Sequence, residues 1–251
     1  MTKAFAPATS DDSLCSHKSL VLRRSDFRDF LAEIPSGDAD LILTDPPYAI
    51  SRKTGFASVG KHSVERFAMS MDFGDWDHAE IDLAKLSQEM YRTLKKSGTA
   101  IVFYDIWKFN YLADAMKQAG FKMLRLIIWE KTNPVPLNSK RNYLTNSREI
   151  AVLGVKEGKP TFHGEYDNGV YYYPIPHNGK RFHPTQKPLK LFAELIEKHS
   201  NTNGLVLDPF VGCGTTAIAA MQAGRTFAGC DADAQYVEIA RNRIEQELKH
   251  R

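Results

Sequence analysis

The stretch that decides the fold is Leu205-Val206-Leu207-Asp208-Pro209-Phe210-Val211-Gly212-Cys213-Gly214-Thr215-Thr216, which precedes a run of small apolar residues, 217–220. The apolar residues before Asp208 predict a short buried strand, and the small residues after Thr216 predict a helix. Between them, Gly212 and Gly214 let the backbone approach a ligand closely at a helix N-terminus. The loop lacks the third glycine and the lysine of phosphate-binding loops. The unit therefore predicts an α/β fold whose ligand is neither a dinucleotide nor a triphosphate.

A second acid follows the next predicted strand. That strand covers 226–230, and Asp231 comes directly after it. An acid about twenty residues past a glycine loop is well placed to accept hydrogen bonds from the two hydroxyls of a ribose. Asp233 then begins the last predicted helix, whose apolar side is Val237, Ala240, Ile244 and Leu248.

A third acid ends the apolar run Leu41-Ile42-Leu43, in the motif Asp45-Pro46-Pro47-Tyr48. The two prolines donate no backbone hydrogen bonds and stiffen the turn, so the carbonyls of Asp45 and Pro46 are free to face a ligand. Tyr48 adds a flat face with a polar tip. An acid, rigid carbonyls and an aromatic ring predict a site for a planar molecule that has an amino group.

Strands and helices alternate along most of the chain. We expect strands at 19–22, 41–44, 100–104, 123–129 and 149–155. We also expect four helices before the glycine loop. The first is capped by Asp26, and the second begins with a capping box at Asp77–Glu80 and is ended by Lys95, Lys96 and Gly98. The third spans 107–119, and the fourth follows Pro188. This alternation predicts a doubly wound, mostly parallel, Rossmann-like sheet with helices on both faces. Ligands of such sheets bind beyond the carboxyl ends of the strands, where Asp45, Asp208 and Asp231 fall.

The domain organisation follows from where periodicity is lost. Residues 1–18 are polar and are interpreted as a flexible lead-in to a single domain at 19–251. Three irregular segments, 49–77, 131–146 and 156–180, are candidate recognition loops. Two of them contain basic side chains suited to nucleic-acid phosphates, namely Arg52, Lys53, Lys140 and Arg141.

Composition limits the kinds of partner, compartment and metal site that the protein can have. The 251 residues have a formal net charge of +3, which permits an anionic partner without requiring one. The three cysteines are scattered, which argues against disulfides and suits the cytoplasm. No apolar run approaches the roughly 18 residues that span a bilayer, so no membrane association is expected. No histidines are spaced with carboxylates as ligands, so no metal site is expected.

Three motifs in one order are highly specific together. Asp45–Tyr48, His183-Pro184-Thr185-Gln186-Lys187-Pro188 and Asp208–Thr216 resemble those of the permuted group of S-adenosylmethionine-dependent DNA amino-methyltransferases, over residues 19 to 248. In this order the sheet unit that follows Asp231 begins at the N-terminus. Chain termini often lie close together, so such permutations are tolerated.

The resemblance implies a set of cofactor contacts. The segment formed by Asp208, Pro209, Phe210, Gly212, Gly214 and Thr215 would hold the methionine part of S-adenosylmethionine. Thr185 and Lys187 would bind its carboxylate and Asp231 its ribose. Asp26 would bond its adenine amino group, although Ser25 replaces the glycine that often precedes this acid.

The resemblance also implies the reaction, which is transfer of a methyl group to the N6 amino group of adenine flipped out of duplex DNA. The Asp45 carboxylate and the Pro46 carbonyl would accept hydrogen bonds from that group, Pro47 would hold the turn rigid, and Tyr48 would stack on the base. An acid at the first motif position favours adenine-N6 over cytosine-N4. The alternatives are a cytosine-N4 enzyme, an RNA or protein amide methyltransferase, and a DNA-binding relic without activity. A homodimer is expected from the resemblance alone.

Overall fold

The computed structural model describes residues 13–17, 20–47, 81–134, 144–176 and 186–249, and the strands in these ranges form one nine-stranded sheet. In chain order they are β1 (Ser13–His17), β2 (Leu20–Arg24), β3 (Ala39–Thr44), β4 (Leu94–Tyr104), β5 (Lys122–Lys131), β6 (Arg148–Val155), β7 (Val170–Tyr173), β8 (Leu205–Asp208) and β9 (Thr226–Asp231). The helices are α1 (Phe27–Glu33), α2 (Leu83–Thr93), α3 (Phe109–Ala119), α4 (Leu189–His199), α5 (Thr215–Gln222) and α6 (Ala234–Lys249).

The sheet is mostly parallel. Its strand order is β1-β2-β9-β8-β3-β4-β6-β5-β7, and the five strands from β2 to β4 in this order run parallel. Among the nine described strands, β1 and β6 are the two that run opposite to the others. The prediction of a doubly wound, mostly parallel sheet is confirmed.

Within the described ranges, three helices cover each face of the sheet. Side chains alternate along β3, so that Leu41 and Leu43 pack in one core cluster with α4, α5 and α6. Ile42 packs in the opposite cluster with α1, α2 and α3. Burial on both faces explains why β3 is a continuous apolar run rather than an alternating one.

The N-terminal part of the chain continues the sheet beyond the C-terminal part, as the permuted motif order implies. β2 pairs in parallel with β9, with Arg24 opposite Asp231. The Ser25 amide then donates to the Asp231 carbonyl at 3.0 Å. This pairing brings the end of β2, and with it Asp26, beside the end of β9.

The predicted boundaries of α2 and β4 are wrong. The helix begins after Asp82, whose carboxylate accepts from the Lys85 amide at 2.9 Å, while Asp77–Glu80 lie outside the described residues. It ends at Thr93, and β4 starts at Leu94 rather than Ala100. The reason is pairing distant in sequence: Ala39 pairs with Leu94, and an irregularity in the register precedes Thr99.

Two predicted irregular segments contain strands. Residues 13–17, assigned to the flexible lead-in 1–18, form β1 against β2. Residues 156–180, assigned to a recognition loop, contain β7, which pairs in parallel with β5. Backbone pairing stabilises both segments, β1 with the strand that follows it and β7 with the distant β5, and neither sequence has the alternation that would reveal a strand. Among the described residues, no helix is long and apolar enough to cross a membrane.

Candidate active site

Four acids meet at one edge of the sheet. Asp45 follows β3, Asp208 ends β8 and Asp231 ends β9, and these parallel strands lie beside one another. Asp26 follows β2, which lies next to β9. The structure therefore brings these four predicted site residues together along the carboxyl ends of adjacent strands, which is the ligand-binding edge of an open α/β sheet.

The glycine loop joins β8 to α5 with two residues in the left-handed region. Gly212 has φ 51° and Gly214 has φ 84°, conformations that side chains other than glycine rarely adopt. A Cβ at Gly214 would contact Ala240 of α6 at 3.0 Å, whereas a Cβ at Gly212 would meet no atom within 4 Å. Gly214 is thus required for packing against α6, and Gly212 leaves the loop backbone open to close approach by a ligand.

Asp231 lies directly below this loop. Its carboxylate accepts hydrogen bonds from the Gly212 amide and the Asp233 amide, each at 2.9 Å. Burial raises the pKa of Asp231, and these backbone donors oppose that rise. A carboxylate has about four lone-pair sites, so two further donors, such as a pair of hydroxyls, can still bind.

Asp26 has a structural role as well as its position at the site. It is the N-cap of α1, as predicted, and its Oδ1 accepts from the Arg28 amide at 2.8 Å. The Arg28 side chain also donates to both oxygens, and this pairing lowers the pKa of Asp26 despite partial burial. Beside it, the Phe27 ring contacts the Phe210 ring with centroids 5.3 Å apart, so that aromatic faces border this end of the site.

Asp208 connects the glycine loop to the strand that presents Asp45. Its Oδ1 accepts from the Thr44 hydroxyl at 2.6 Å and from the Phe210 amide at 3.0 Å. Its Oδ2 accepts from the Thr216 hydroxyl at 2.6 Å. Burial raises the pKa of Asp208 to about 6, although these donors favour the ionised form. The carboxylate therefore fixes β3, β8 and α5 relative to one another. Pro209 follows Asp208 in the loop, and Thr215 is the first residue of α5.

Asp45 is paired with a buried lysine. Lys187, whose side chain is 3% exposed, forms an ion pair with Asp45 Oδ2 and lies 3.1 Å from Glu149 Oε2. Asp45 Oδ1 is buried and has no hydrogen-bond partner among the described residues. Pro46 is buried directly after it, and Pro47 is partly buried. One oxygen of Asp45 is therefore fixed and the other is available to a donor.

Glu149 and Lys131 were not singled out by the sequence analysis. Glu149 lies near the start of β6, which runs antiparallel to β4, so it reaches the same edge as the ends of the parallel strands. Lys131, at the end of β5, pairs with Glu149 Oε1 at 2.9 Å. The signal in the sequence was a charged residue next to each of two apolar strands, Lys131 after one and Glu149 before the other. Charged residues in such places are rarely buried without partners.

The two cysteines of this region are packing residues. Cys213 and Cys230 are buried, and burial raises the pKa of both thiols, which keeps them protonated. Arg243 of α6 donates to the Cys213 carbonyl and so adds a second contact that holds the glycine loop. Neither thiol is suited to act as a nucleophile.

The remaining predicted site residues lie outside the described part of the chain. They are Tyr48, Thr185, Arg52, Lys53, Lys140 and Arg141. The predicted loop 49–77 lies wholly outside it, as do 135–143 of the loop at 131–146 and 177–180 of the loop at 156–180. Lys187, predicted to bind a cofactor carboxylate, has Asp45 and Glu149 as its carboxylate partners in the structure.

The fold and the row of strand-end acids define a Rossmann-like α/β protein with a ligand site at the carboxyl ends of its parallel strands. The fold matches the crystal structure of an M1.HpyAVI–SAM complex with a TM-score of 0.68 at 24% identity, covering 90% of this chain and 98% of that one. It also matches PvuII DNA methyltransferase, which is cytosine-N4-specific, with a TM-score of 0.68 at 16% identity, covering 93% of this chain and 92% of that one.

Sequence comparison shows the family. The DNA methylase model for N6 and N4 methyltransferases matches residues 39–242, and the chain belongs to this family. The type II methyltransferase M2.DpnII of Streptococcus pneumoniae is 33% identical in an alignment that covers 91% of this chain and 90% of the relative. The recognition made from the three motifs is confirmed.

Proposed function

We propose that this DNA methylase transfers a methyl group from S-adenosylmethionine to the N6 amino group of a flipped adenine in duplex DNA. The observation that supports this most is the state of Asp45. Its carboxylate ends β3 with Oδ2 fixed by Lys187 and Oδ1 without a hydrogen-bond partner among the described residues. A buried acceptor without a donor is costly, by about 1–3 kcal/mol, so this oxygen is suited to a donor that arrives with the substrate.

The described residues fit S-adenosylmethionine. The open backbone at Gly212 would accommodate the methionine part of the cofactor, without the phosphate-binding groups that a dinucleotide needs. Asp231 would accept from the ribose hydroxyls, and Asp26, beside Phe27 and Phe210, would face the adenine. Thr185 remains a candidate for the cofactor carboxylate. The bound cofactor supplies an electrophilic methyl group on a sulfonium ion.

Asp45 and the Pro46 carbonyl would activate the target nitrogen. The lone pair of an exocyclic amino group is delocalised into the base and is a poor nucleophile. Two acceptors that bind its hydrogens favour a tetrahedral nitrogen, whose lone pair forms the new bond to carbon as the sulfur–carbon bond breaks and its electrons stay on sulfur. One N–H proton is released, and Asp45 Oδ1 or water can accept it. Tyr48 would stack on the base, which leaves the duplex at a cost of about a few kcal/mol.

Adenine is proposed over cytosine because an acid occupies the first motif position. The fold does not discriminate, since the matched PvuII enzyme is described as cytosine-N4-specific. We further propose that the protein acts in the cytoplasm and, from the family resemblance alone, that it is a homodimer. The segments 49–77, 131–146 and 156–180 would read a short site. Similarity to a type II methyltransferase supports a role in restriction–modification.

The test is methyl transfer from tritiated S-adenosylmethionine to duplex DNA, tRNA and a protein mixture, followed by nucleoside analysis. We expect label in DNA, as N6-methyladenine. Label only in N4-methylcytosine contradicts the adenine assignment, and label only in tRNA or protein contradicts the DNA substrate. Light scattering of the same preparation measures whether the chain is a dimer.

A further inference from the structure

Four charged side chains form an alternating chain that ends at Asp45. Lys131 contacts Oε1 of Glu149 at 2.9 Å, Glu149 Oε2 lies 3.1 Å from the Lys187 ammonium, and Lys187 pairs with Asp45. The order of charges is therefore positive, negative, positive, negative, with no net charge. Each link joins a different part of the fold: the end of β5, the start of β6, the segment before α4, and the end of β3.

The two lysines of this row of charges are largely shielded from solvent, and the two carboxylates are each 22% exposed. The exposed fraction is 3% for the Lys187 side chain and 10% for Lys131. Each ammonium also lies over a buried aromatic ring, Lys187 over Phe103 and Lys131 over Trp129, both at 5.3 Å from the ring centroid. Buried charges at such short separations interact strongly, so the position of one member constrains the next.

We propose that Glu149, held by Lys131, is a positioning residue that keeps the Lys187 ammonium on Oδ2 of Asp45 and leaves Oδ1 for the target amino group. This role rests on the proposed function of Asp45. Without the charge of Glu149, only Asp45 would attract Lys187. The ammonium could then bridge both oxygens of Asp45 and compete with the amino group of the base.

Opposing influences on the proton affinity of Asp45 give this proposal a distinctive signature. Burial raises the pKa of Asp45, Lys187 lowers it, and Glu149 raises it. Burial likewise raises the pKa of Glu149, but Lys187 and Lys131 outweigh burial and lower it. Among the described residues, Lys187 and Glu149 are the charged groups that face Asp45, and Lys131 faces Glu149. Removing the charge of Lys187 and removing that of Glu149 should therefore shift the Asp45 titration in opposite directions.

The experiment is a ¹³C NMR titration of the Asp45 carboxyl in the cofactor-free protein, with the signal assigned by Asp45→Asn. Glu149→Gln should move the titration to lower pH, and Lys187→Met should move it to higher pH. Removing one member of a buried pair is often strongly destabilising, whereas removing both is tolerated. If Lys187→Met does not fold, the double variant Glu149→Gln/Lys187→Met replaces it. The double variant should also titrate at higher pH, because Lys187 affects Asp45 more than Glu149 does.

The matched control is Glu130→Gln. Glu130 is on β5 next to Lys131 but pairs with the exposed Arg148 at 3.2 Å, so this variant should leave the titration in place. A Glu149→Gln titration that is unshifted, or shifted to higher pH, overturns the proposal. A shift to lower pH with Glu149→Gln but not with Glu130→Gln supports it.

Single-turnover kinetics give a second readout. Glu149→Gln should lower the methyl-transfer rate by about 100-fold, the loss expected when a reacting group is displaced by about 1 Å, with unchanged affinity for S-adenosylhomocysteine. An unchanged rate overturns the positioning role. If the wild-type protein transfers no methyl group to DNA, the proposed function fails, while the NMR titration still decides whether the charge chain controls Asp45.

Discussion

Thr44, the last residue of β3, donates its hydroxyl hydrogen to Oδ1 of Asp208, the last residue of β8, at 2.6 Å. Both side chains are buried, and 164 residues separate them in sequence. The bond joins the strand that presents Asp45 to the strand that presents the glycine loop. This side-chain bond adds to the parallel backbone pairing of β3 with β8, and it lies directly before the proposed catalytic acid and the proposed cofactor loop.

Thr44→Val tests this contact. The variant keeps the shape of the side chain but leaves Asp208 with one donor fewer in a buried setting. We expect a loss of about 1–3 kcal/mol in the free energy of unfolding, measured by urea denaturation. The control is Thr226→Val, which removes a longer, 3.2 Å bond to the Gly204 carbonyl at a partly exposed position. Equal losses in the two variants would contradict the importance of the Thr44 contact.

Asp208 should make stability depend on pH. Burial raises its pKa from 3.8 to about 6 in the folded protein, so the folded state binds the proton more tightly than the unfolded chain. Its contribution to stability is complete below about pH 3.8 and is lost as the pH rises through about 6. At 1.36 kcal/mol per unit the difference amounts to about 3 kcal/mol.

The measurement is the free energy of unfolding of the wild type and of Asp208→Asn from pH 4 to pH 7. Asparagine does not titrate, so the wild type should lose stability relative to the variant across this range. A difference between the two proteins that stays constant with pH would show that Asp208 does not titrate there.

Alanine substitutions at the two loop glycines should have different effects, one on stability and the other on cofactor binding. Gly214→Ala places a Cβ 3.0 Å from Ala240, so it should lower the melting temperature. Gly212→Ala meets no atom within 4 Å, so its effect on folding should be limited to the strain of a positive φ, about 1–2 kcal/mol. Its new methyl group would enter the proposed cofactor site. Calorimetry should measure both the stability and the S-adenosylhomocysteine affinity of each variant. For each kcal/mol of stability lost, Gly212→Ala should lose more affinity than Gly214→Ala. A larger loss in Gly214→Ala would contradict the placement of the cofactor at Gly212.

Asp231→Asn should weaken cofactor binding. Asparagine keeps the size of the side chain but loses the charge that would accept the ribose hydroxyls. Hydrogen bonds to charged groups contribute about 1.5–3 kcal/mol, so the dissociation constant of S-adenosylhomocysteine should rise about 10- to 100-fold. The control is Asp233→Asn, at the start of α6, whose carboxylate accepts from the Gln235 amide at 2.7 Å. If both variants bind equally well, Asp231 does not contact the ribose.

The features that could be predicted from the sequence are those that depend on residues close together in the chain, such as helix caps and strand ends. Asp26 was recognised as a cap because the side chain of an acid before an amphipathic run accepts from the first turn, and the structure shows that bond. The strand ends at Asp45, Asp208 and Asp231 were found because buried parallel strands are continuous apolar runs. The first residue of β4 was predicted wrongly, because Leu94 joins the strand only by pairing with Ala39, which is distant in sequence.

The partners within the site could not be predicted for the same reason. Lys187 and Asp45 are 142 residues apart, and nothing near either residue indicates the other. Glu149 was placed in a strand, but its charge gained a meaning only when β6 was found to run antiparallel beside β4. β7 was missed because a four-residue strand is stabilised by pairing with β5 rather than by its own pattern.

The most direct test of the central claim is methyl transfer by Asp45→Ala. Wild-type protein with tritiated S-adenosylmethionine and duplex DNA should form N6-methyladenine. The variant should form none while its binding of S-adenosylmethionine stays largely intact, because Asp45 would contact the target amino group and not the cofactor. Methylation of DNA by Asp45→Ala at a rate near that of the wild type would contradict the assignment of Asp45 as the catalytic acid.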